Sequence, residues 1–257
     1  MTIYFLGTDS GTEPMINRHH TAFAIEVQNR IYWFDAGENC SYTAHLLGLD
    51  LLNVEKIIIS HAHMDHVGGL ANLLWNIQKI SRVKNEKPRY NGNQVYMPCK
   101  ETWDGIMMIL RNSEGCFSTD YPVQATKIVA GELFDDGIMR VVAFPNTHLN
   151  TLQTPERGSF SFLIECEGKK LVYSGDVGSY EDLNPVIGQG CDGLIIETGH
   201  FNIDRAYEYC KDKKIGKIFF NHHGREILND EATATAKVRN LFGDSAYVCK
   251  DCMIVDF

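Results

Sequence analysis

The stretch that decides the fold, residues 60–69, reads SHAHMDHVGG. Four side chains that can bind a metal ion fall within six consecutive residues of it: His61, His63, Asp65 and His66. The run before them, Lys56–Ser60 (KIIIS), is typical of a strand buried on both faces, and apolar residues at helical spacing follow in Gly69–Ile80. Side chains on a loop at a strand end can converge on one point, which an extended strand does not permit. Because imidazole and carboxylate suit zinc, manganese or iron(II), the stretch predicts a metal site.

These residues resemble the H-x-H-x-D-H signature of the metallo-β-lactamase superfamily, and the pattern of the whole chain is most similar to the ribonuclease Z-like phosphodiesterase branch. Further segments resemble other motifs of the superfamily: Gly7–Gly11 (GTDSG), Asp35–Gly37 (DAG), Tyr173–Gly178 (YSGDVG) and Phe219–His222 (FFNH). The resemblance implies an α/β fold of the αββα type, the metallo-β-lactamase sandwich. Because no linker rich in Pro, Gly or Ser interrupts the chain, we expect a single domain over residues 1–257, and the irregular stretch at about 81–124 is a possible active-site insertion.

The resemblance further implies a pair of divalent metal ions, zinc in the first place, with manganese or iron as alternatives. The residues it assigns to the first ion are His61, His63 and His148. Those it assigns to the second ion are Asp65, His66 and His222, and Asp176 bridges both. His223, which follows His222 directly, is an open alternative for the last ligand.

Two adjacent metal ions can deprotonate a bridging water and stabilise both the attacking and the leaving oxygen. This chemistry suits phosphodiesters, lactones and thioesters alike, so the motif predicts a hydrolytic mechanism without fixing the substrate. We expect a phosphodiesterase that attacks through the metal-bridging hydroxide. The alternatives are a lactonase or thioesterase on the same site, an iron-dependent oxidoreductase, and a non-catalytic binding module.

A proton donor is suggested by His200, in the stretch Ile196–His200 (IETGH). Like the proton-donating histidine of the ribonuclease Z-like enzymes, it precedes a predicted helix and a strand that ends at His222, 22 residues further on. Either Glu197 or Asp204 could hold its imidazole. Asp65 and His200 are therefore the predicted catalytic residues, and a plain loop role for His200 is the alternative.

The formal net charge of −9 argues against a protein that binds long nucleic acid through many phosphates. We expect a small molecule or a short nucleotide, such as a cyclic phosphate or an oligonucleotide end, with Arg225 as a candidate phosphate contact. No membrane partner is expected, because the longest apolar run, Ile106–Leu110, is too short to span a bilayer. The eight cysteines, mostly isolated in apolar stretches, favour a cytoplasmic protein. The pair Cys249 and Cys252 and the oligomeric state are left open.

Overall fold

The computed structural model describes residues 1–113, 117–149 and 158–257. The chain divides into two compact units. Unit 1 consists of Met1–Gly7, Asn17–Ile128 and Asp251–Phe257, and unit 2 of Thr8–Ile16 and Val129–Lys250. Among the described residues, no helix has both the length and the apolar character needed to cross a membrane.

Strands and helices are numbered in chain order. The strands in the described residues are β1 Thr2–Gly7, β2 Ala22–Val27, β3 Arg30–Phe34, β4 Val54–Ile58, β5 Asn93–Met97, β6 Val123–Lys127, β7 Gly131–Asp135, β8 Met139–Pro145, β9 Phe160–Cys166, β10 Lys169–Tyr173, β11 Cys191–Glu197, β12 Ile215–Asn221, β13 Ala246–Val248 and β14 Ile254–Asp256. The α-helices are α1 Cys40–Leu46, α2 Met64–Val67, α3 Leu70–Lys84, α4 Lys100–Asn112, α5 Asn184–Ile187, α6 Ile203–Cys210, α7 Arg225–Asn229 and α8 Glu231–Phe242. Short 3-10 helices lie at Leu51–Asn53, Tyr180–Leu183 and Gly243–Ser245.

Unit 1 is built on a mixed sheet with the strand order β14-β1-β2-β3-β4-β5-β6. Strands β3 to β6 run parallel, so their carboxyl ends meet at one edge of the sheet. Helix α3 buries Leu70, Leu73 and Ile77 in the same core cluster as Ile57 of β4. The predicted buried strand and the helix after it are thus confirmed, with the helix ending at Lys84 rather than Ile80.

Unit 2 is built on a second mixed sheet with the order β13-β12-β11-β10-β9-β8-β7. Strands β10 to β13 are parallel, whereas β7 to β10 are antiparallel. Helices α6 and α8 contribute Ile203 and Val238 to a core cluster that also contains Ile196 and Phe220 of the sheet. The carboxyl ends of β10, β11 and β12 therefore bring three loops to one edge of this sheet.

The sequence also predicts a strand at Lys127–Val129, and this position is wrong, because β6 ends at Lys127 and β7 begins at Gly131. Four of the five residues of β6 are exposed, so its sequence lacks the alternation of apolar and polar residues that marks a half-buried strand. The predicted insertion at about 81–124 contains β5 and α4, while its residues 114–116 lie outside the described part of the chain. The single-domain assignment stays a prediction.

Candidate metal centre

In unit 1, the four predicted ligands of the signature lie side by side, and we call them the loop cluster: His61, His63, Asp65 and His66. The ring centre of His61 lies 4.5 Å from that of His63 and 4.1 Å from that of His66. Nε2 of His66 lies 3.3 Å from Oδ2 of Asp65. The segment leaves β4, remains extended at His63 and turns into α2 at Met64, which brings these side chains together.

A buried carboxylate, Asp35, orients the loop cluster from the end of β3. Its Oδ1 accepts a hydrogen bond from the backbone N–H of Ser60 (2.7 Å), and its Oδ2 accepts from the Ser60 hydroxyl (2.8 Å) and from Nδ1 of His66 (2.8 Å). Nδ1 of His61 lies 3.1 Å from the same hydroxyl oxygen. Because Nδ1 of both imidazoles is engaged in this way, Nε2 remains the nitrogen that can bind a metal ion.

The turn that carries Asp35 packs directly against the loop cluster. The backbone N–H of Ala36 donates to the His66 carbonyl, and that of Gly69 donates to the Ala36 carbonyl, both at 2.7 Å. A Cβ atom on Gly69 would lie only 2.1 Å from the carbonyl oxygen of Gly37. Gly69 of the HVGG motif is therefore required for this close backbone approach.

In unit 2, the remaining three predicted ligands also lie together, and we call them the strand-end cluster: His148, Asp176 and His222. Oδ2 of Asp176 lies 3.6 Å from Nε2 of His148, and Oδ1 of Asp176 lies 3.2 Å from Nε2 of His222. The two carboxylate oxygens of Asp176 thus face two different imidazoles, which is compatible with a bridging ligand. Asp176 and His222 are almost fully buried.

The loop that presents His148 is held by the two residues before it, Asn146 and Thr147. Oδ1 of Asn146 accepts the backbone N–H of His148 (3.2 Å), and Nδ2 of Asn146 donates to the Ser161 hydroxyl (3.1 Å). Asp182 accepts the backbone N–H of Thr147 (3.0 Å) and the Thr147 hydroxyl (2.8 Å). His148 is therefore positioned by contacts to β9 and to the segment before α5.

The two neighbouring histidines at the end of β12 occupy different surroundings. His222, in a left-handed backbone conformation with φ 49°, faces Asp176. Nε2 of His223 instead lies 2.8 Å from the carbonyl oxygen of Cys249, to which it can donate. This geometry favours His222 over His223 as the last ligand.

The predicted acid His200 is paired with Glu197, at the end of β11. Nδ1 of His200 lies 3.0 Å from both carboxylate oxygens of Glu197, which also accept the backbone N–H groups of His200 (2.9 Å) and Val177 (3.0 Å). Asp204, the other candidate partner, pairs with Lys237 at 2.7 Å. Glu197 is therefore the carboxylate that holds this imidazole.

The Glu197 carboxylate also reaches the strand-end cluster, which the sequence did not reveal. Its Oε2 lies 3.7 Å from Nδ1 of His222. The ring centre of His200 lies 4.8 Å from that of His148 and 5.7 Å from that of His222. Only the position of Glu197 at the end of a strand parallel to β12 could have indicated this second contact.

Hydrogen bonding sets the protonation preferences of this pair. Burial acts to raise the pKa of Glu197, but the hydrogen bond from His200 and the nearby His222 imidazole outweigh it and hold that pKa below its ordinary value. The hydrogen bond to Glu197 is also the main cause that raises the pKa of His200. The arrangement therefore favours a protonated imidazole beside an ionised carboxylate.

Other candidates from the sequence do not join either cluster through any described contact. The Arg225 guanidinium is engaged by both carboxylate oxygens of Glu13, one of them at 2.9 Å from Nη1. Cys249 is buried and Cys252 is exposed, and neither forms a disulfide. Burial, together with the negative charge of Asp251, raises the pKa of Cys252, which disfavours the thiolate that metal binding or redox chemistry needs.

Imidazole and carboxylate groups of the described residues, most of them buried, form groups that could hold a metal ion. The chemistry of these donors suits divalent zinc, manganese or iron. The hydrogen bonds to Nδ1 of His61 and His66 support this use, because ligating histidines typically donate their other ring N–H to a carboxylate, carbonyl or water.

The chain has the metallo-β-lactamase fold. The metallo-β-lactamase-fold protein YhfI of Bacillus subtilis matches it with a TM-score of 0.74 and 16% identity over 99% of each chain. The short form of human tRNase Z matches with a TM-score of 0.69 and 22% identity over 100% of this chain and 99% of that one. These similarities confirm the predicted fold class.

The chain belongs to the Anti-Pycsar protein Apyc1 family, whose model matches residues 1–196. It is also similar to ribonuclease BN of Escherichia coli, at 32% identity over 152 residues, 58% of this chain and 46% of ribonuclease BN. The match therefore spans about half the length of that relative. Together with tRNase Z, it confirms the predicted resemblance to the ribonuclease Z-like branch. The family match includes the loop cluster, His148 and Asp176, whereas His200 and His222 lie beyond it.

Proposed function

We propose that this protein is a metal-dependent phosphodiesterase that hydrolyses a small phosphodiester or nucleotide, with His200 as the proton donor. The observation that carries the proposal is the Glu197–His200 pair, which stands next to the histidines of the strand-end cluster. A positioned acid matters most where the leaving group is an alkoxide, as in a phosphodiester, because an alkoxide departs poorly without a proton.

The proposed cofactor is a pair of divalent ions, zinc in the first place, which would supply a hydroxide nucleophile at neutral pH and stabilise charge on the phosphate. The loop cluster and the strand-end cluster together would provide the ligands. His61, His63 and His148 would hold one ion; Asp65, His66 and His222 would hold the other, and Asp176 would bridge them. Two observations support this fit: Asp176 turns its two oxygens to different imidazoles, and Asp35 directs Nε2 of His66 away from itself.

His200 is placed to hold a proton and to deliver it. Its Nδ1 is fixed by Glu197, so Nε2 is the atom that can donate to the leaving oxygen. Its side chain is 43% exposed, which leaves that edge of the ring within reach of a substrate. We also assign a catalytic role to Asp65, whose carboxylate beside His66 can accept a proton from the attacking water.

The size of the substrate is inferred from charge and from the relatives. The names of ribonuclease BN and tRNase Z denote enzymes that cleave phosphodiester bonds of RNA. The net charge of −9 does not favour contacts with many phosphates. Two exposed basic residues that follow α3 also form ion pairs with acidic residues: Arg89 contacts Asp50 (2.8 Å), and Lys87 contacts Asp120 (3.0 Å). A cyclic phosphate or an oligonucleotide end is therefore preferred over a long chain.

Replacement of His200 tests the proposal. We expect His200→Ala to slow hydrolysis of a dinucleoside monophosphate or a nucleoside cyclic phosphate by about 10²–10⁴-fold. Bis(p-nitrophenyl) phosphate, whose leaving group needs no proton, should lose much less activity. The measurement is kcat/KM for both substrates at equal bound metal, with the exposed His45→Ala as the control. An equal loss on both substrates would show that His200 is not the acid.

A panel of substrates separates the alternative functions. Hydrolysis of aryl phosphodiesters, lactones and thioesters is compared with the zinc-loaded protein, and oxygen consumption is measured with the iron-loaded protein. Hydrolysis of lactones or thioesters without any phosphodiesterase activity would replace the proposal with the lactonase or thioesterase alternative. Oxygen consumption that requires iron would favour the oxidoreductase alternative.

A further inference from the structure

The short helix α2 and the glycine that follows it contain both buried and exposed residues. Asp65, His66 and Val67 are buried, whereas Met64 and Gly68 are exposed. Met64 exposes 75% of its surface although it stands between His63 and Asp65 in the chain. A large apolar side chain thus faces solvent within one residue of two groups that we assign to the metal ions.

The exposed face is continuous because residue 68 is a glycine. A Cβ atom at Gly68 would lie 3.3 Å from the terminal methyl carbon of Met64 and 2.6 Å from the Met64 carbonyl oxygen. The thioether therefore lies along α2 over Gly68, without a neighbouring side chain standing between them. We call the exposed surface formed by the Met64 side chain over Gly68 the Met64 face.

We propose that Met64 is a specificity-determining residue that packs against a planar apolar group of the substrate, namely the base of a nucleotide. The inference rests on the proposed function, since it assumes a phosphodiester held by the neighbouring ligands. Methionine is suited to this contact, because its flexible, polarizable thioether packs favourably on aromatic rings of different shape. Covering the Met64 face also removes apolar surface from water.

Exposure alone does not mark a binding residue, because single exposed apolar side chains are ordinary on protein surfaces. What distinguishes Met64 is its position between two proposed ligands. Unit 1 offers a control in Leu46 of α1, which is 61% exposed, lies outside the predicted insertion and has no such neighbours. The contrast between Met64 and Leu46 tests position rather than apolar exposure.

The experiment compares two diesters with the same leaving group, thymidine 5′-(p-nitrophenyl phosphate) and methyl p-nitrophenyl phosphate. We expect Met64→Ala to lower the ratio of their kcat/KM values by about 3- to 10-fold, chiefly through KM of the thymidine ester. Met64→Leu, which keeps the apolar volume, should retain most of the ratio, and Leu46→Ala should leave it unchanged. An unchanged ratio in Met64→Ala, or the same shift in Leu46→Ala, would overturn the inference.

A binding measurement separates this inference from the proposed function. Calorimetric titration of the zinc-loaded protein with thymidine 5′-monophosphate and with methyl phosphate gives the preference for the base without any turnover. If neither diester is hydrolysed, the proposed function fails, and the inference stands when Met64→Ala lowers the preference for the thymidine ligand by a similar factor. Equal affinities for the two ligands in the unmodified protein would overturn the inference by themselves.

Discussion

The loop cluster and the strand-end cluster offer the same donor groups but are assembled in different ways. The loop cluster comes from six consecutive residues at the end of one strand. The strand-end cluster comes from three loops, with His148 and Asp176 28 residues apart and His222 46 residues further on. The first is fixed by local chain geometry, and the second depends on the register of a whole sheet.

Each cluster relies on one buried carboxylate that is not among the predicted ligands. Asp35 fixes His66 and Ser60 in unit 1, and Glu197 fixes His200 and faces His222 in unit 2. Both carboxylates accept backbone N–H groups as well, which keeps them oriented. The comparison shows that metal-binding residues can be recognised in the sequence by residue type. The carboxylates that orient them are defined by the fold.

The largest effect is expected from the residue that faces two imidazoles. Asp176→Ala removes both carboxylate oxygens of the proposed bridge, so we expect it to release metal and abolish turnover. Elemental analysis after gel filtration and a bis(p-nitrophenyl) phosphate assay measure the two effects, with the exposed Asp244→Ala as the control. Full activity with stoichiometric metal would refute the bridging role.

A smaller effect is expected from the carboxylate that orients the loop cluster. In Asp35→Asn an amide replaces the carboxylate. An N–H donor or a neutral amide oxygen then stands where Oδ2 now accepts hydrogen bonds from Ser60 and His66. Loss of such an outer contact typically lowers metal affinity by about 10- to 100-fold. Chelator competition with zinc measures this change, and Asp50→Asn in the same unit is the surface control. An unchanged affinity would mean that the backbone of the loop alone fixes these ligands.

The smallest effect is expected from a glycine beside the strand-end cluster. A Cβ at Gly199 would lie 2.5 Å from Nδ1 of His222, so Gly199→Ala must displace that ring. We expect zinc affinity to fall by about 10-fold, as for other disturbances of the groups around a ligand. Gly105→Ala is the matched control, because a Cβ there meets no atom within 4 Å. A wild-type affinity in Gly199→Ala would show that His222 is held less tightly than its contacts suggest.

The two clusters also mark how far the sequence could predict the structure. The strand before His61 and the helix after Gly69 followed from unbroken apolar residues and helical spacing, and both are present. Strand β6 was misplaced because its exposed residues carry no apolar pattern. The position of this exposed strand, at the edge of its sheet, is determined by pairing with β5. A local sequence pattern contains no information about that pairing.

The site shows the same limit. The proximity of His61, His63, Asp65 and His66 followed from their spacing, and the structure brings them together. The choice between Glu197 and Asp204 as partner of His200 could not be made, since both are carboxylates within four residues of it. That choice depends on side-chain direction: Glu197 ends a buried strand and points to His200, while Asp204 lies on the exposed side of α6.

The most direct test of a dinuclear centre shared by the two clusters is X-ray absorption spectroscopy of the zinc-loaded protein, with zinc quantified in the same sample. We expect two zinc ions per chain, nitrogen and oxygen ligands at about 2.0–2.2 Å, and a zinc–zinc scattering path at about 3.5–4 Å. One zinc per chain with no metal–metal path, or sulfur in the ligand shell, would contradict it.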